Sequence, residues 1–237
     1  KERKAIILAH VYEPEEIQEI ADFSGDSFAL SRKAAATDAE VIVFCGVRFM
    51  AETANILSPD KITLLPAMDA GCQMFDDTLE AEVEKAIAER PEAMVVSYVN
   101  TPASVKAMSD ICCTSSNAVS VIESLPRDKE IIFLPDGNLA SYAAEQTKRQ
   151  IHCWPGGCPV HGRLTAEEVR AAKQIHPGAL VLMHPECSAP VRAEADYVGS
   201  TMGIIQYAEK SPVQEFIIAT ECGVLYELSE KKKKKKF

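Results

Sequence analysis

Three short apolar runs along the chain end in the same manner. AIILAHVY (5–12), AMVVSYVN (93–100) and ALVLMHPE (179–186) are each almost wholly apolar and then turn polar or aromatic. An uninterrupted apolar run of this length is what a parallel strand covered on both faces requires, since neither face meets water. Each run is followed by a helix-like stretch and a cluster of small polar residues: DFSGDS, DICCTSS and DYVGST. These clusters place Ser27, Ser115 and Ser200 at roughly equivalent positions. A second apolar run comes next, VIVFCG, EIIFLPD or EFIIATE, and each opens a helical stretch, AETANIL, LASYAAEQ or GVLYEL.

The repeat length is roughly 86 residues, too long for a solenoid repeat and suited to a small α/β domain. Strands alternating with helices predict βαβ units and parallel sheets. The fold class expected is α/β: three αβα sandwich domains with short parallel sheets, related by pseudo-threefold symmetry around a central site. The expected domains are residues 1–74, 75–160 and 161–237. Ligands of such sheets bind beyond the carboxyl ends of the strands. Three domains that point those ends at one axis would share one cavity.

The bulk numbers narrow the function. The net charge of -10 argues against a nucleic-acid partner, which needs a basic surface. No run of about 18 apolar residues is present, so no membrane span is expected. The opening KERKAIILAH is basic and then apolar, but the apolar part is short for a signal segment and no small-residue cleavage site follows. A cytoplasmic protein is expected. The eight cysteines are therefore expected to be reduced, with a subset serving a metal.

Two cysteines stand apart. Cys72, in PAMDAGCQMFDD, closes the first repeat, and Cys158, in WPGGCPVH, closes the second. Both follow a glycine and they are one repeat apart. By the same period a third equivalent falls near position 244, beyond Phe237 (about one repeat on). Single thiolates from three domains suit an iron–sulfur cluster better than structural zinc, whose four ligands sit at short local spacings. A [4Fe–4S] cluster with three thiolates leaves one iron open as a Lewis acid. Buried apolar thiols are the alternative for both. Cys45, Cys112, Cys113, Cys153, Cys187 and Cys222 have no repeat partner of this kind and are expected to be structural or incidental.

At the level of whole motifs the chain resembles quinolinate synthase, the A protein of de novo NAD biosynthesis. The resemblance runs from residue 1 to about 230 and rests on GDSFALSRKA, VRFMAETANIL, YVNTPASVKAMSDICCTSSNA, FLPDGNL, WPGGCPVHGR, HPECSAPVRAEADYVGSTMGII and FIIATECGVLYEL. It implies three αβα domains around an oxygen-sensitive [4Fe–4S] cluster. It also implies the condensation of iminoaspartate with dihydroxyacetone phosphate to quinolinate, phosphate and water. An L-aspartate oxidase or dehydrogenase is the candidate source of iminoaspartate. The family's cluster cysteines match Cys72 and Cys158, and the third has no match; the family's final strand and terminal helices are also missing. His10 and Tyr12 match a His-Asn-Tyr motif, with Val11 in place of its Asn. Ser27, Tyr98, Asn100 and Ser115 match substrate-contacting positions, as do His161, His184, Glu186, Ser200 and Thr201.

The chemistry of these residue types fits that assignment. The substrates carry carboxylates and phosphate, yet the motifs hold few cations. Anion binding would then fall to hydroxyls, backbone N–H groups and helix N-termini. Ser27, Ser115, Ser200 and Thr201 precede apolar helices, where the ordinary role of a hydroxyl is N-capping; the two roles are compatible. Glu186 is assigned as general acid/base, with a surface ion pair as its alternative. Tyr12 would transfer a proton or close over the substrate. His10 and His184 would bind carboxylate or carbonyl oxygens, a satisfied core histidine being the alternative. Tyr98 and Asn100 would orient the substrate. The run of six lysines before Phe237 is expected to be a solvated face. Two rival functions remain open at this stage: a non-catalytic binder of a dicarboxylate or phosphate, and a different iron–sulfur hydro-lyase.

Overall fold

The computed structural model describes residues 3–74, 79–231 and 235–237. The chain begins with β1 (Ala5–His10), α1 (Glu15–Ile20), β2 (Phe23–Gly25), α2 (Ser27–Ala36), β3 (Val41–Cys45), α3 (Arg48–Leu57) and β4 (Ile62–Leu64). It continues with α4 (Leu79–Glu89), β5 (Met94–Tyr98), α5 (Ala103–Ala107), β6 (Ile111–Cys113), α6 (Ala118–Ser124), β7 (Ile131–Leu134), α7 (Gly137–Thr147) and β8 (His152–Cys153). The last part holds α8 (Pro159–Gly162), α9 (Ala166–Ile175), β9 (Leu180–Met183), α10 (Ala189–Arg192), β10 (Tyr197–Val198), α11 (Thr201–Lys210), β11 (Phe216–Ala219) and α12 (Val224–Lys231).

The strands form three separate parallel sheets, in the orders β2-β1-β3-β4, β6-β5-β7-β8 and β10-β9-β11. The third sheet gains a parallel bridge from Glu215 to Lys236, on the edge where β4 and β8 lie in the other two. Each sheet has its first strand at the centre, flanked by its second and third. The chain leaves that strand to one side and then crosses back past it to the other, and this reversal opens a crevice at the carboxyl end.

The apolar runs are central because burial selects them. Leu8, Ala9, Val96, Val181, Leu182 and Met183 are fully buried. Residues of the first two sheets and their helices share one apolar cluster, from Leu8 and Phe44 to Val96 and Phe133. The third sheet packs its own cluster around Leu182, Ile204 and Phe216.

Two polar devices recur with the repeat. The N–H of Ile7 donates to the Asp22 carboxylate at 2.9 Å, and the pairs Val95–Asp110 (2.7 Å) and Val181–Asp196 (2.8 Å) repeat this contact. In each case the aspartate's own N–H returns to the carbonyl of the same strand residue. Each aspartate precedes its sheet's second strand and satisfies an amide that the ladder has not yet reached. The second device is a cation at a helix C-terminus, where exposed carbonyls carry partial negative charge. Lys61 Nζ donates to the carbonyls of Ala34 and Thr37, and Lys235 Nζ to those of Ala208 and Ser211. Arg149 donates to the carbonyls of Ile122, Leu125, Pro126 and Lys129. The lysine run expected to be wholly solvated is therefore tied into the structure at Lys235. Lys232, Lys233 and Lys234 lie outside the described residues.

Side chains also stitch the sheets together. Gln18 donates to the carbonyls of Val11, Glu13 and Gly223. A Cβ at Gly223 would lie 2.6 Å from the Tyr12 carbonyl oxygen, so only glycine permits this approach of the two backbones. The buried Arg192 of α10 reaches the Asn138 carbonyl and the Glu145 carboxylate of α7.

Arg149 is 8% exposed and serves four carbonyls at once. Arg149→Met is expected to lower the unfolding free energy by about 3 kcal/mol, because it strips buried acceptors of a charged donor. Arg149→Lys should recover part of the loss. Urea unfolding of the three proteins checks this.

Candidate active site

The strand ends determine which side chains meet. His10 and Tyr98 are the last residues of β1 and β5, and His184 follows β9. The chain turns directly after each of these residues, the Glu13 N–H bonding to the His10 carbonyl and the Cys187 N–H to the His184 carbonyl, so the side chain two positions on stays at the strand end. Tyr12, Asn100 and Glu186 occupy those positions. All six line one cavity of ≈ 330 Å³. The intervening Val11 is fully buried and absent from the lining, so the side chain replacing the family's asparagine faces the core.

Ser27, Ser115, Thr201, His161, Cys72 and Cys158 line the same cavity. Ser200, the remaining residue of the expected set, does not. The strand registers pair His10 with Gly25 and Tyr98 with Cys113, and the Gly199 N–H bonds to the Met183 carbonyl. The third equivalent of Ser27 and Ser115 is therefore Thr201, one residue beyond the position the sequence pattern indicated. Ser200 is the N-cap of α11, its Oγ accepting the Gly203 N–H at 3.2 Å, and it faces a neighbouring cavity.

Cys158 is held by a loop that continues β8 alongside the end of β7. The Gly137 N–H donates to the Gly156 carbonyl at 2.8 Å. A Cβ at Gly156 would meet the Pro135 carbonyl oxygen at 2.4 Å. The crowding therefore falls on Gly156 and not on Gly157, which immediately precedes the cysteine and has room for a methyl group. Asp136 locks the loop: one carboxylate oxygen accepts the Cys158 N–H at 3.0 Å and the other the Leu139 N–H at 2.6 Å.

Burial governs the electrostatics. It lowers the His10 imidazole to about 4 and that of His184 to about 3, with Glu186 pulling the other way in both cases. Both are neutral near pH 7. Their Nδ1 atoms face the N–H groups of Tyr12 (3.2 Å) and Glu186 (3.3 Å), so Nδ1 accepts and the proton sits on Nε2. His184 Nε2 then donates to Ser115 Oγ at 3.3 Å, while its Nδ1 lies 3.7 Å from Glu186. His161 is oriented in the opposite sense. Its Nδ1 is 2.9 Å from the Glu186 carboxylate, which can only accept, and 3.1 Å from Cys158 Sγ. Burial opposes ionisation of Glu186, but His184, His161 and Tyr98 together outweigh it and hold the carboxyl below its usual range. Burial, with Glu186 second, pushes Asp136 up to about 7. Burial raises the Cys72 thiol to about 11, and that of Cys158 is raised further, with Glu186 adding to burial.

No lysine or arginine lines the cavity among the described residues. Ser27 and Thr201 are the first residues of α2 and α11, so two helix N-termini border it. Of the eight cysteines, all free, only Cys72 and Cys158 reach the cavity. Glu221 lines the cavity, and Asp136 and Thr220 bond to residues that do; the motif reading singled out none of the three. The register places Thr220 level with Pro135, and Glu221 level with Asp136, after their strands. Aligning the ends of the second apolar runs, EIIFLPD and EFIIATE, would have marked all three.

The two buried neutral histidines have a measurable consequence. Their folded pKa values lie below that of an unfolded histidine, so the unfolded chain binds more protons below about pH 6.5. Stability from these groups is intact above that pH and is lost as the pH falls toward 4. From pH 7 to pH 5 the loss is about 2 kcal/mol per histidine. Urea unfolding at the two pH values should show a smaller difference in His10→Asn and in His184→Asn than in the unaltered chain.

Comparison with known proteins agrees with this geometry. The family described as NadA, quinolinate synthetase A protein, matches residues 1–237. A quinolinate synthase of Geotalea uraniireducens is 53% identical over 236 residues, covering 100% of this chain and 77% of the relative. One of Desulforudis audaxviator is 54% identical over 237 residues, covering 100% and 78%. One of Methanoregula boonei is 55% identical over 230 residues, covering 97% and 76%. The chain thus spans about three quarters of the length of these relatives, and it belongs to the quinolinate synthetase A protein family.

Proposed function

We propose that this chain is the catalytic part of a quinolinate synthase that condenses iminoaspartate with dihydroxyacetone phosphate. The observation that carries the reading is the convergence of three equivalent strand ends, with two thiols, on one buried cavity. Iminoaspartate would come from an oxidase or dehydrogenase acting on L-aspartate. No helix of the described residues is long and apolar enough to cross a membrane.

Cys72 and Cys158 fit a [4Fe–4S] cluster as two of its thiolate donors. They are soft ligands in a shared cavity, and their raised pKa values mean that a metal would be what ionises them. When bound, the cluster supplies a Lewis-acidic iron that polarises an oxygen leaving as water.

The chain's own residues account for binding and proton movement. The hydroxyls of Ser27, Ser115 and Thr201, beside the starts of α2 and α11, offer donors to carboxylate and phosphate oxygens. The Nε2–H groups of His10 and His184 add neutral donors, and Tyr98 and Asn100 orient the bound molecule. Glu186, ionised and central, accepts a proton from substrate carbon or nitrogen and returns it to a leaving oxygen. Tyr12 keeps its proton, because burial raises its pKa, and can donate to oxygen. His184 donates from Nε2 to Ser115 Oγ and so orients that hydroxyl.

A second reading has one observation behind it. Cys158 Sγ, His161 and Glu186 present ligand atoms within 4.8 Å of one another, close enough for a single divalent ion. Metal analysis separates the two readings.

After anaerobic reconstitution of a chain extended past Phe237 to supply the third cysteine, iron and acid-labile sulfide are expected at about four each per chain and lost in Cys72→Ala and in Cys158→Ala. One zinc per chain without sulfide, lost only in Cys158→Ala, would establish the mononuclear site instead. Glu186→Gln should keep its fold and its iron while kcat for quinolinate formation falls by roughly a hundredfold or more. Wild-type-like turnover in that variant would overturn the functional reading, as would no quinolinate from a chain extended past Phe237 to supply the third cysteine and loaded with iron and sulfide.

A further inference from the structure

A second cavity, of ≈ 500 Å³, adjoins the reaction cavity and shares Asp26, Phe28 and Ser115 with it. The repeat shows how the two are arranged. Ser27, Ser115 and Thr201, at or just before the starts of α2, α6 and α11, line the reaction cavity. The residue after each, Phe28, Ser116 or Met202, lines the second. The three segments thus form a collar with one chamber on each side. In the second chamber Arg32, Ser116 and Gln206 are exposed, whereas Asp26 and Ser200 are buried. That chamber therefore runs from the surface down to the collar.

Two of the three shared side chains are fixed and the third is loose. One Asp26 carboxylate oxygen accepts the Ala29 N–H at 2.9 Å and the other the Ser116 hydroxyl at 3.1 Å. Ser115 Oγ accepts from His184 Nε2 at 3.3 Å. Phe28 has no polar atom to anchor its ring and is 38% exposed. An exposed ring of this kind changes rotamer far faster than a backbone segment moves.

Charge distinguishes the two approaches to the reaction cavity. Away from the collar it is lined by the half-buried Glu13 and Glu221, and burial first and Glu221 second raise the Glu13 carboxyl. The second chamber instead carries Arg32, its one cation among the described lining residues. The Arg32 guanidinium lies 5.8 Å from the centre of the Phe28 ring. The chamber's one carboxylate, Asp26, is already engaged by its two donors. A cation at the mouth of a chamber raises the local concentration of anions, and two carboxylates lower it. A phosphate ester or a dicarboxylate thus approaches more readily past Arg32. An anion that draws the guanidinium away also removes the cation that sits against the Phe28 ring.

We propose that the anionic substrates enter through the second chamber, drawn by Arg32, and that the Phe28 ring swings aside to pass them through the collar. The identity of the anions rests on the functional reading above; the two chambers and their collar do not.

The test uses the chain extended past Phe237 and loaded with iron and sulfide, with dihydroxyacetone phosphate as the probe. Phosphorus-31 exchange spectra give its rates of binding and release. Phe28→Ala should raise both rates by roughly three- to tenfold and leave Kd within about twofold, the pattern of a lowered barrier on the path. Phe28→Trp should lower both rates, so the test does not rest on one variant. Arg32→Ala should lower the binding rate by roughly threefold or more at about 20 mM salt, and far less at about 0.5 M, where the charge is screened. Lys85→Ala removes an exposed charge that lines neither cavity and should leave the binding rate as it was. The inference is overturned if both rates ignore Phe28, or if Arg32→Ala and Lys85→Ala behave alike. It is also overturned if Phe28→Ala changes release alone, which would make the ring a wall of the bound site. Failure of dihydroxyacetone phosphate to bind the unaltered chain would remove the functional reading and the substrates named here with it. Binding at rates indifferent to Phe28 and Arg32 would remove the entrance alone.

Discussion

The site depends on where the central strand of each parallel sheet stops. Beyond the last ladder bond the chain leaves toward one side, the next crossover leaves toward the other, and a crevice remains between them. One such crevice could hold little. Three of them contribute side chains to one shared cavity. The turn after each strand end then admits His10 and Tyr12, Tyr98 and Asn100, and His184 and Glu186 as pairs, while Val11 and Val99 are buried. Val11 is fully buried, and its position is one of packing.

Enclosure sets the charge logic. Low dielectric drives His10 and His184 to the neutral state, so the cavity would meet anionic substrates with neutral donors and helix starts. Glu186 is held ionised against the cost of its burial by His184, His161 and Tyr98. Asp136 is pushed the opposite way by burial and by that same carboxylate.

The surrounding fold keeps these positions in register with repeated polar devices. Asp22, Asp110 and Asp196 satisfy the strand amides beside each crossover, and Lys61, Arg149 and Lys235 cap the carbonyls of α2, α6 and α11. Gly156 and Gly223 are required where two backbones approach within the reach of a Cβ, one beneath the Cys158 loop and one against Tyr12. Placement of Cys158 thus depends on a hydrogen-bonded loop and on Asp136, and not on the cysteine's neighbours in sequence.

Much of this was legible in the sequence, because the signals are local. Apolar runs that end in polar residues specify buried parallel strands and the side of the sheet where chemistry gathers, and the repeat of these runs specifies three sheets. The motifs carried the family. The placement of His10, Tyr12, Tyr98, Asn100, Ser115, His184 and Glu186 at strand ends follows from that pattern alone. What the tertiary structure decided is which of these groups touch. Ser200 and Thr201 are adjacent in sequence, and only the strand register sends one to cap a helix and the other to the cavity. Thr220 meets Tyr12 across 208 positions and His161 across 59, contacts that no local pattern encodes. Tautomers and shifted pKa values belong to the same class, since they arise from burial and from partners that come together only when the three sheets close on one another.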